Sequence, residues 1–127
     1  MDEKGSQKAL EIRRKYIEGF VEIVAPELIM FEVLNALRYK GLFTCEELKR
    51  IAEALDAYGF DLYVLRGGYA VHTVDLACMN DLTVYDASYI SLAELEEAQM
   101  YTFDSKLVDK LHSSHRQRIK DVSIAGF

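Results

Sequence analysis

Hydrophobic positions follow two different spacings along the chain. In six segments apolar side chains recur every three or four residues, the spacing of a helix with one buried face. Four shorter segments are rich in apolar and β-branched residues, as strands are. The predicted helices are Ser6–Glu18, Pro26–Lys40, Thr44–Tyr58, Tyr69–Asn80, Thr83–Ala93 and Ser105–His112. The predicted strands are Val21–Ala25, Leu62–Leu65, Met100–Phe103 and Asp121–Ala125.

Residues at the segment boundaries support these helices. Pro26 fits the first turn of the second helix, where its missing N–H costs nothing. Thr44 and Glu47 have the spacing of a capping box, in which each side chain binds the backbone of the other residue. Thr83 and Asp86 have the same spacing, with aspartate in the place of glutamate. We therefore expect helices to begin at both threonines.

The alternation of strands and helices predicts the fold class. Such an order is typical of a parallel sheet with helices on both faces, that is, a three-layer α/β/α fold with a central parallel sheet. The 127 residues suffice for one domain with its own core. We therefore expect a single domain covering residues 1–127.

The composition is that of a globular protein and argues against a membrane-spanning or secreted one. Half of the residues are apolar and 28% are charged, which is ordinary for a globular protein. No apolar run reaches the roughly 20 residues of a membrane helix, and the polar N-terminus predicts no signal peptide, so we expect a cytoplasmic protein that binds no membrane. Cys45 and Cys78 match no metal-binding spacing and are interpreted as reduced, largely buried thiols. The net charge of −6 argues against a general nucleic-acid coat but not against a nuclease with acidic metal ligands.

Three acidic residues are candidates for a shared site. Glu32 lies on the second predicted helix and shares a face with Leu28 and Asn35, a face that we expect to be buried. Asp86 opens a helix among apolar neighbours. Asp104 follows a predicted strand, at the end where open α/β sheets place their sites. Each also has a structural interpretation, because the two aspartates can cap helices and Glu32 can pair with a base such as Arg38.

Three converging carboxylates repel one another unless a divalent cation neutralises them. Ligand sets made of oxygen alone favour Mg²⁺ or Mn²⁺ over zinc. A metal ion held in this way lowers the pKa of a bound water and holds a phosphate oxygen. The acids therefore point to hydrolysis of a phosphodiester.

Three segments carry a resemblance to a known family. They are PELIMFEVLNALR from Pro26, TVYDASYISLA from Thr83 and YTFDSKL from Tyr101. In this order and spacing the chain, from about Ser6 to Phe127, resembles the PIN-domain family, and most closely the VapC-type toxins of toxin–antitoxin pairs. The resemblance implies a PIN-like (Rossmann-like) fold and an endonuclease, a hydrolase that cuts RNA with Mg²⁺ or Mn²⁺. It also implies a cognate antitoxin protein as partner and a homodimer.

The resemblance also assigns roles to individual residues. It implies that Glu32, Asp86 and Asp104 are the catalytic metal ligands. It places Asn35 and Thr102 at polar positions beside the metal.

The chain departs from the family at its beginning. The family starts with a buried central strand that ends in a metal-binding aspartate, whereas this chain starts with Met1 and the polar residues 2–6. We therefore expect an N-terminally short domain in which strands Val21–Ala25 and Met100–Phe103 lose the strand between them. These strands then close on each other in a four-stranded sheet within a homodimer, or exchange a segment between chains. Two functions stay open: a ribonuclease, impaired by this departure, and a non-catalytic PIN-like remnant that acts as a dimerisation or antitoxin-binding module.

Two further groups of residues have alternative interpretations. Five basic residues follow Asp104 and either guide an RNA backbone or form a solvated face: Lys106, Lys110, Arg116, Arg118 and Lys120. The histidines form no metal-ligand pattern with one another and are expected to have surface roles: His72, His112 and His115.

Overall fold

The computed structural model describes residues 3–102 and 105–121. These residues fall into two compact units, each described by itself. The small unit is Ile23–Val64, and the large unit is Met1–Glu22 with Leu65–Phe127. The helices of the described residues are α1 (Glu3–Ile17), α2 (Leu28–Lys40), α3 (Cys45–Ala57), α4 (Gly67–Asn80), α5 (Val84–Leu95), α6 (Ser105–Lys110) and α7 (Ser113–Arg116). The strands are β1 (Val24–Pro26), β2 (Asp61–Tyr63), β3 (Met100–Thr102) and β4 (Ile119–Asp121).

The predicted order of helices and strands is confirmed, with shifts at several ends. Pro26 is the last residue of β1, and α2 begins at Leu28, so its prediction as a first-turn residue of the helix is wrong. The predicted helix Ser105–His112 is confirmed as α6, which ends two residues before His112, and the short α7 that follows it was not predicted. The last strand begins at Ile119, two residues earlier than predicted, and residues 122–125 of that prediction, like Phe103, fall outside the described residues.

The predicted fold class is wrong. Most of the described chain is helical, and its strands form two separate two-stranded parallel sheets in place of one central sheet. One sheet pairs β1 with β2, with Val24 opposite Asp61. The other pairs β3 with β4, with Met100 opposite Ile119. The expected direct pairing of the first and third strands is therefore wrong as well.

The strand lengths explain why a sheet-centred prediction failed. Each strand has three residues and spans roughly 10 Å, so each ladder contains few hydrogen bonds. Each pair is formed by strands consecutive in the sequence, with two helices between them. Periodicity locates strands but carries no information about which of them pair, and here every strand pairs with its neighbour along the chain.

The small unit consists of β1, α2, α3 and β2. Thr44 begins α3 with the predicted capping box, because its Oγ1 accepts a hydrogen bond from the Glu47 backbone N at 3.1 Å. Glu47 Oε1 in turn accepts one from the Thr44 backbone N at 2.9 Å. Helix α2 ends at Gly41, whose φ of 69° is the left-handed conformation that glycine adopts without strain. Neither α2 nor α3 contains a buried residue.

The core of the large unit lies where α4 and α5 pack together. Its buried hydrophobic residues are Leu76, Ala77, Ala87, Ile90, Leu107 and Leu111. Thr73 and Ser91 are completely buried beside them. Leucine and isoleucine side chains therefore fill this core, and the smaller side chains of Ala77, Ala87, Thr73 and Ser91 occupy the space between them.

Two expectations about the surface have different outcomes. Within residues 3–102 and 105–121, no helix combines the length and the apolar character needed to cross a membrane.

The prediction that the cysteines are buried is wrong, because both Cys45 and Cys78 are exposed free thiols. The prediction of a single domain over residues 1–127 stays a prediction.

Candidate functional site

The residues predicted to share a metal are distributed over both units. Glu32 and Asn35 lie on α2 in the small unit. Asp86 lies in the first turn of α5, and Thr102 ends β3, both in the large unit. Asp104 falls outside the described residues. The convergence of the three carboxylates therefore stays a prediction.

Asp86 has the local geometry that the sequence predicted. Thr83 is in an extended conformation, and its Oγ1 accepts a hydrogen bond from the Asp86 backbone N at 3.0 Å. The side chain of Asp86 is half-buried and is followed by the buried residues Ala87 and Ser88. Its position in the first turn places the carboxylate at the positive end of the helix dipole. Within the described parts of the chain, this carboxylate has neither a hydrogen-bond donor nor an ion-pair partner.

The environment of Glu32 differs from the prediction. The face of α2 that was expected to be buried is open: Glu32 and Asn35 are exposed, and Leu28 is half-buried. The structural alternative for Glu32, a pair with Arg38 or another base, stays a prediction. The Arg38 guanidinium lies over the ring of its neighbour Tyr39, 5.6 Å from the ring centroid.

A polar cluster that the sequence did not reveal joins three helices of the large unit. Glu94 of α5 lies between His72 of α4 and His115 of α7. His115 Nδ1 is 2.9 Å from Glu94 Oε2 and 3.0 Å from Oε1, and His72 Nε2 is 3.4 Å from Oε1. An ionised carboxylate only accepts hydrogen bonds, so both ring nitrogens act as N–H donors. The prediction that His115 has a surface role is wrong, because this side chain is half-buried and bonded.

The cluster is best described as a hydrogen-bonded connection between helices. Among the described residues, no group of three or more His, Cys, Asp or Glu is arranged to hold a metal ion. Glu94 is separated from each histidine by more than 20 residues in the sequence. Neither helical nor strand periodicity relates residues at that separation, and no sequence signal therefore indicated the cluster.

Tyr69 adds a second polar contact between α4 and α5. Its hydroxyl donates to the backbone carbonyl of Ser88 at 2.9 Å. Burial raises the pKa of this phenol, and the hydrogen bond to Ser88 opposes the effect without cancelling it. The hydroxyl therefore stays protonated and remains a donor at neutral pH.

Some of the basic residues near the C-terminus already bind the protein backbone. Arg116 Nε donates to the Leu111 carbonyl at 2.9 Å, and another nitrogen of the same guanidinium donates to the Asp109 carbonyl at 3.0 Å. Lys110 Nζ lies 3.3 Å from the Asp81 carbonyl. These contacts hold carbonyls at helix ends, while Lys110 and Arg116 remain exposed, as expected for residues of a solvated face.

Comparison with known proteins found no family model that matches the chain and no curated protein that matches it.

Proposed function

We propose that the protein is a Mg²⁺- or Mn²⁺-dependent ribonuclease of the PIN-domain toxin type. Two lines of support lead to this proposal: the three sequence segments that resemble the family, and the state of Asp86. The proposal includes a cytoplasmic location, an RNA substrate and an antitoxin protein that neutralises the activity.

The observation that carries the proposal is the Asp86 carboxylate. A half-buried carboxylate loses hydration and normally regains that energy from a donor or a cation. In the described part of the chain Asp86 has no such partner, although its own backbone N is capped by Thr83. An unpaired, partly dehydrated carboxylate fixed in a first helical turn is suited to binding a hard divalent cation.

The remaining ligands come from the resemblance. Glu32 and Asp104 are proposed as the other two carboxylates, with Asn35 and Thr102 as polar neighbours. A bound cation supplies an activated water and neutralises charge on a phosphate oxygen. In this proposal Asp86 supplies a ligand whose position is fixed. Thr83 caps the first turn of α5, and the next two residues, Ala87 and Ser88, are buried.

The test is cleavage of single-stranded RNA by the parent chain and by Asp86→Asn, with Mg²⁺ or Mn²⁺ and with EDTA. Asparagine keeps the size of the side chain but removes the charge that attracts the cation. We expect weak metal-dependent cleavage by the parent, as for an impaired ribonuclease, and a further loss of at least about 100-fold in Asp86→Asn, the order that removal of one electrostatic group costs.

Asp75→Asn is the matched control, because Asp75 is an exposed aspartate on the neighbouring helix α4. This variant should cleave RNA at the parent rate. Equal cleavage by the parent and by Asp86→Asn, or cleavage that persists in EDTA, would contradict the proposal.

The second candidate, a non-catalytic module for dimerisation or antitoxin binding, is favoured by one observation on α2. This helix has no buried residue and presents an open apolar groove, which is typical of a surface that binds another polypeptide. If this candidate is correct, the parent chain binds a polypeptide through α2 and cleaves no RNA with either metal.

A further inference from the structure

An open groove of about 440 Å³ lies along α2. All of its lining residues belong to this one helix: Met30, Phe31, Leu34, Asn35 and Arg38. Phe31 is 70% exposed, so most of its ring is open to a ligand. The volume lies within the range of roughly 300–1,000 Å³ that small ligands occupy in proteins. We refer to this feature as the α2 groove.

The lining combines three kinds of group that bind nucleotides. The Phe31 ring offers a flat apolar face, the Asn35 amide both donates and accepts hydrogen bonds, and Arg38 carries a permanent positive charge. Within the described part of the chain, no acidic residue lines the groove. Nucleobases stack on aromatic rings, and guanidinium groups bind phosphate oxygens. The groove therefore fits a flat aromatic group that is joined to an anion.

The ring and the cation are placed so that one strand can contact both. Phe31 and Arg38 are seven positions apart, nearly two full turns, and so lie in line at a distance of about 10.5 Å along the helix axis. A stacked strand advances about 3.4 Å per nucleotide, so this distance corresponds to roughly three nucleotides. The Arg38 guanidinium also lies over the ring of Tyr39, 5.6 Å from its centroid, and this contact holds it at the end of the groove.

The α2 groove adjoins residues that are proposed to act at the metal. Glu32 follows Phe31 directly, and their side chains leave the helix about 100° apart. Asn35 comes four residues after Phe31 and three after Glu32, so it lies between them around the helix. A strand whose phosphate is bound by a cation on Glu32 therefore brings a neighbouring base to Phe31.

We propose that the α2 groove is a nucleobase subsite for single-stranded RNA. One base of the strand stacks on Phe31, and Arg38 binds a phosphate of the same strand. This inference rests on the proposed ribonuclease function and adds the residues that hold the substrate beside the metal. A nucleic acid is favoured over a polypeptide because every nucleotide carries both a flat ring and an anion. A polypeptide would have to place an aromatic and an acidic side chain at the matching spacing.

The first test is binding of a fluorescein-labelled RNA octamer to the full chain, measured by fluorescence anisotropy in EDTA so that metal-dependent cleavage is prevented. We expect Phe31→Ala and Phe31→Leu to weaken binding at least about tenfold. This change corresponds to a loss of about 1.4 kcal/mol, within the range for one stacked base. Phe31→Trp keeps a flat ring and should bind like the parent. Phe20→Ala is the matched control, because Phe20 is 76% exposed and lies outside α2.

The second test separates stacking from charge by using an octamer that is abasic at every position. This strand keeps the phosphates but lacks the bases, so Phe31→Ala and the parent should bind it equally. Arg38→Gln should weaken binding of both octamers and reduce the salt dependence of the binding constant by about one phosphate contact. Arg50→Gln, at an exposed arginine on α3, is the control and should bind both octamers like the parent.

Any of three results would overturn the inference. The first is equal binding of the intact octamer by the parent, Phe31→Ala and Phe31→Leu. The second is a loss in Phe31→Ala that is the same for the intact and the abasic octamer. The third is a parent chain that binds no octamer, including one whose α2 groove binds only a polypeptide.

Cleavage of the intact octamer with Mn²⁺ keeps this inference distinguishable from the proposed activity. If the parent cuts RNA but binds it independently of Phe31, the subsite is wrong and the ribonuclease stands. If binding depends on Phe31 and on the bases but no cleavage occurs, the ribonuclease is wrong and the α2 groove is still a site for single-stranded RNA.

Discussion

Buried polar side chains on α4 and α5 differ in whether they have a hydrogen-bond partner. Thr73 Oγ1 donates to the Tyr69 carbonyl at 2.7 Å, and Asn80 Nδ2 donates to the Leu76 carbonyl at 2.9 Å. Asn80 also accepts a bond from the His112 backbone N at 2.9 Å, which ties the end of α4 to the start of α7. Ser91 is the exception, because its completely buried Oγ has no partner within the described residues.

Replacing Ser91 by alanine should stabilise the protein. A buried hydroxyl without a partner costs about 1–3 kcal/mol of desolvation, whereas alanine fills nearly the same space and has good helix propensity. We expect Ser91→Ala to raise the free energy of unfolding by about 1 kcal/mol, measured by urea denaturation. Thr73→Ala, which removes a bonded hydroxyl at an equally buried position, is the matched control and should lower it. A clear loss of stability in Ser91→Ala would show that the hydroxyl has a partner.

At the scale of single elements, α3 shows how a local signal specifies a helix end. The residues of its capping box are three positions apart, so the sequence alone contains the whole interaction, and the structure forms both hydrogen bonds. Pro26 shows the opposite case. Its ring suits a first helical turn, but it equally suits the end of a strand, and the pairing of Pro26 with Tyr63 decides for β1.

The capping box predicts a pH dependence of stability. The backbone N–H of Thr44 donates to the Glu47 carboxylate and lowers its pKa below the ordinary value, and a side-chain bond to Thr44 adds to the effect. A carboxyl with a lowered folded-state pKa stabilises the fold above its unfolded-state pKa. This contribution is lost as the pH falls through the folded-state value. The capped α3 should therefore weaken in acid.

Glu47→Gln isolates this contribution, because glutamine keeps a hydrogen-bond acceptor but does not titrate. Between about pH 6 and about pH 3, the parent should lose more stability than Glu47→Gln in urea denaturation. Glu46→Gln is the control, since Glu46 is an exposed neighbour in the same first turn and lies outside the capping box. Parallel pH profiles for the parent and Glu47→Gln would contradict the prediction.

At the scale of the whole molecule, the order of elements was predictable and their assembly was not. Helix periodicity and caps are local, and they placed α1 to α5 within a few residues. Strand pairing depends on contacts between distant segments, and a ladder of three residues offers little sequence information about its partner. The prediction of one central sheet was therefore wrong. The parallel direction of both strand pairs nevertheless agrees with the alternation of strands and helices in the sequence.

The same distinction applies to the candidate site. The environment of Asp86 follows from Thr83 and the apolar residues after it, all within a few positions of the sequence. The exposure of Glu32 depends on which elements pack against α2. Helical periodicity alone predicted the wrong face of α2 to be buried. The bonds from Glu94 to His72 and His115 arise entirely from tertiary packing. Chemistry carried by one turn was predictable, and chemistry shared between helices was not.

Metal binding provides a whole-molecule measurement that separates the two candidate functions without any RNA. A ligand that binds only the folded state stabilises it by about 2.7 kcal/mol at 100 times its dissociation constant. For a chain of this size that corresponds to an increase in Tm of about 10 °C.

If Asp86 is a ligand, saturating Mn²⁺ should raise the Tm of the parent and of Asp75→Asn, and should raise it little or not at all in Asp86→Asn. In EDTA the Asn variant should differ little from the parent in Tm, because relief of a half-buried charge is offset by the loss of its favourable interaction with the dipole of α5. A Tm unaffected by Mn²⁺ in the parent would instead favour the non-catalytic module, since that function needs the surface of α2 and no cation.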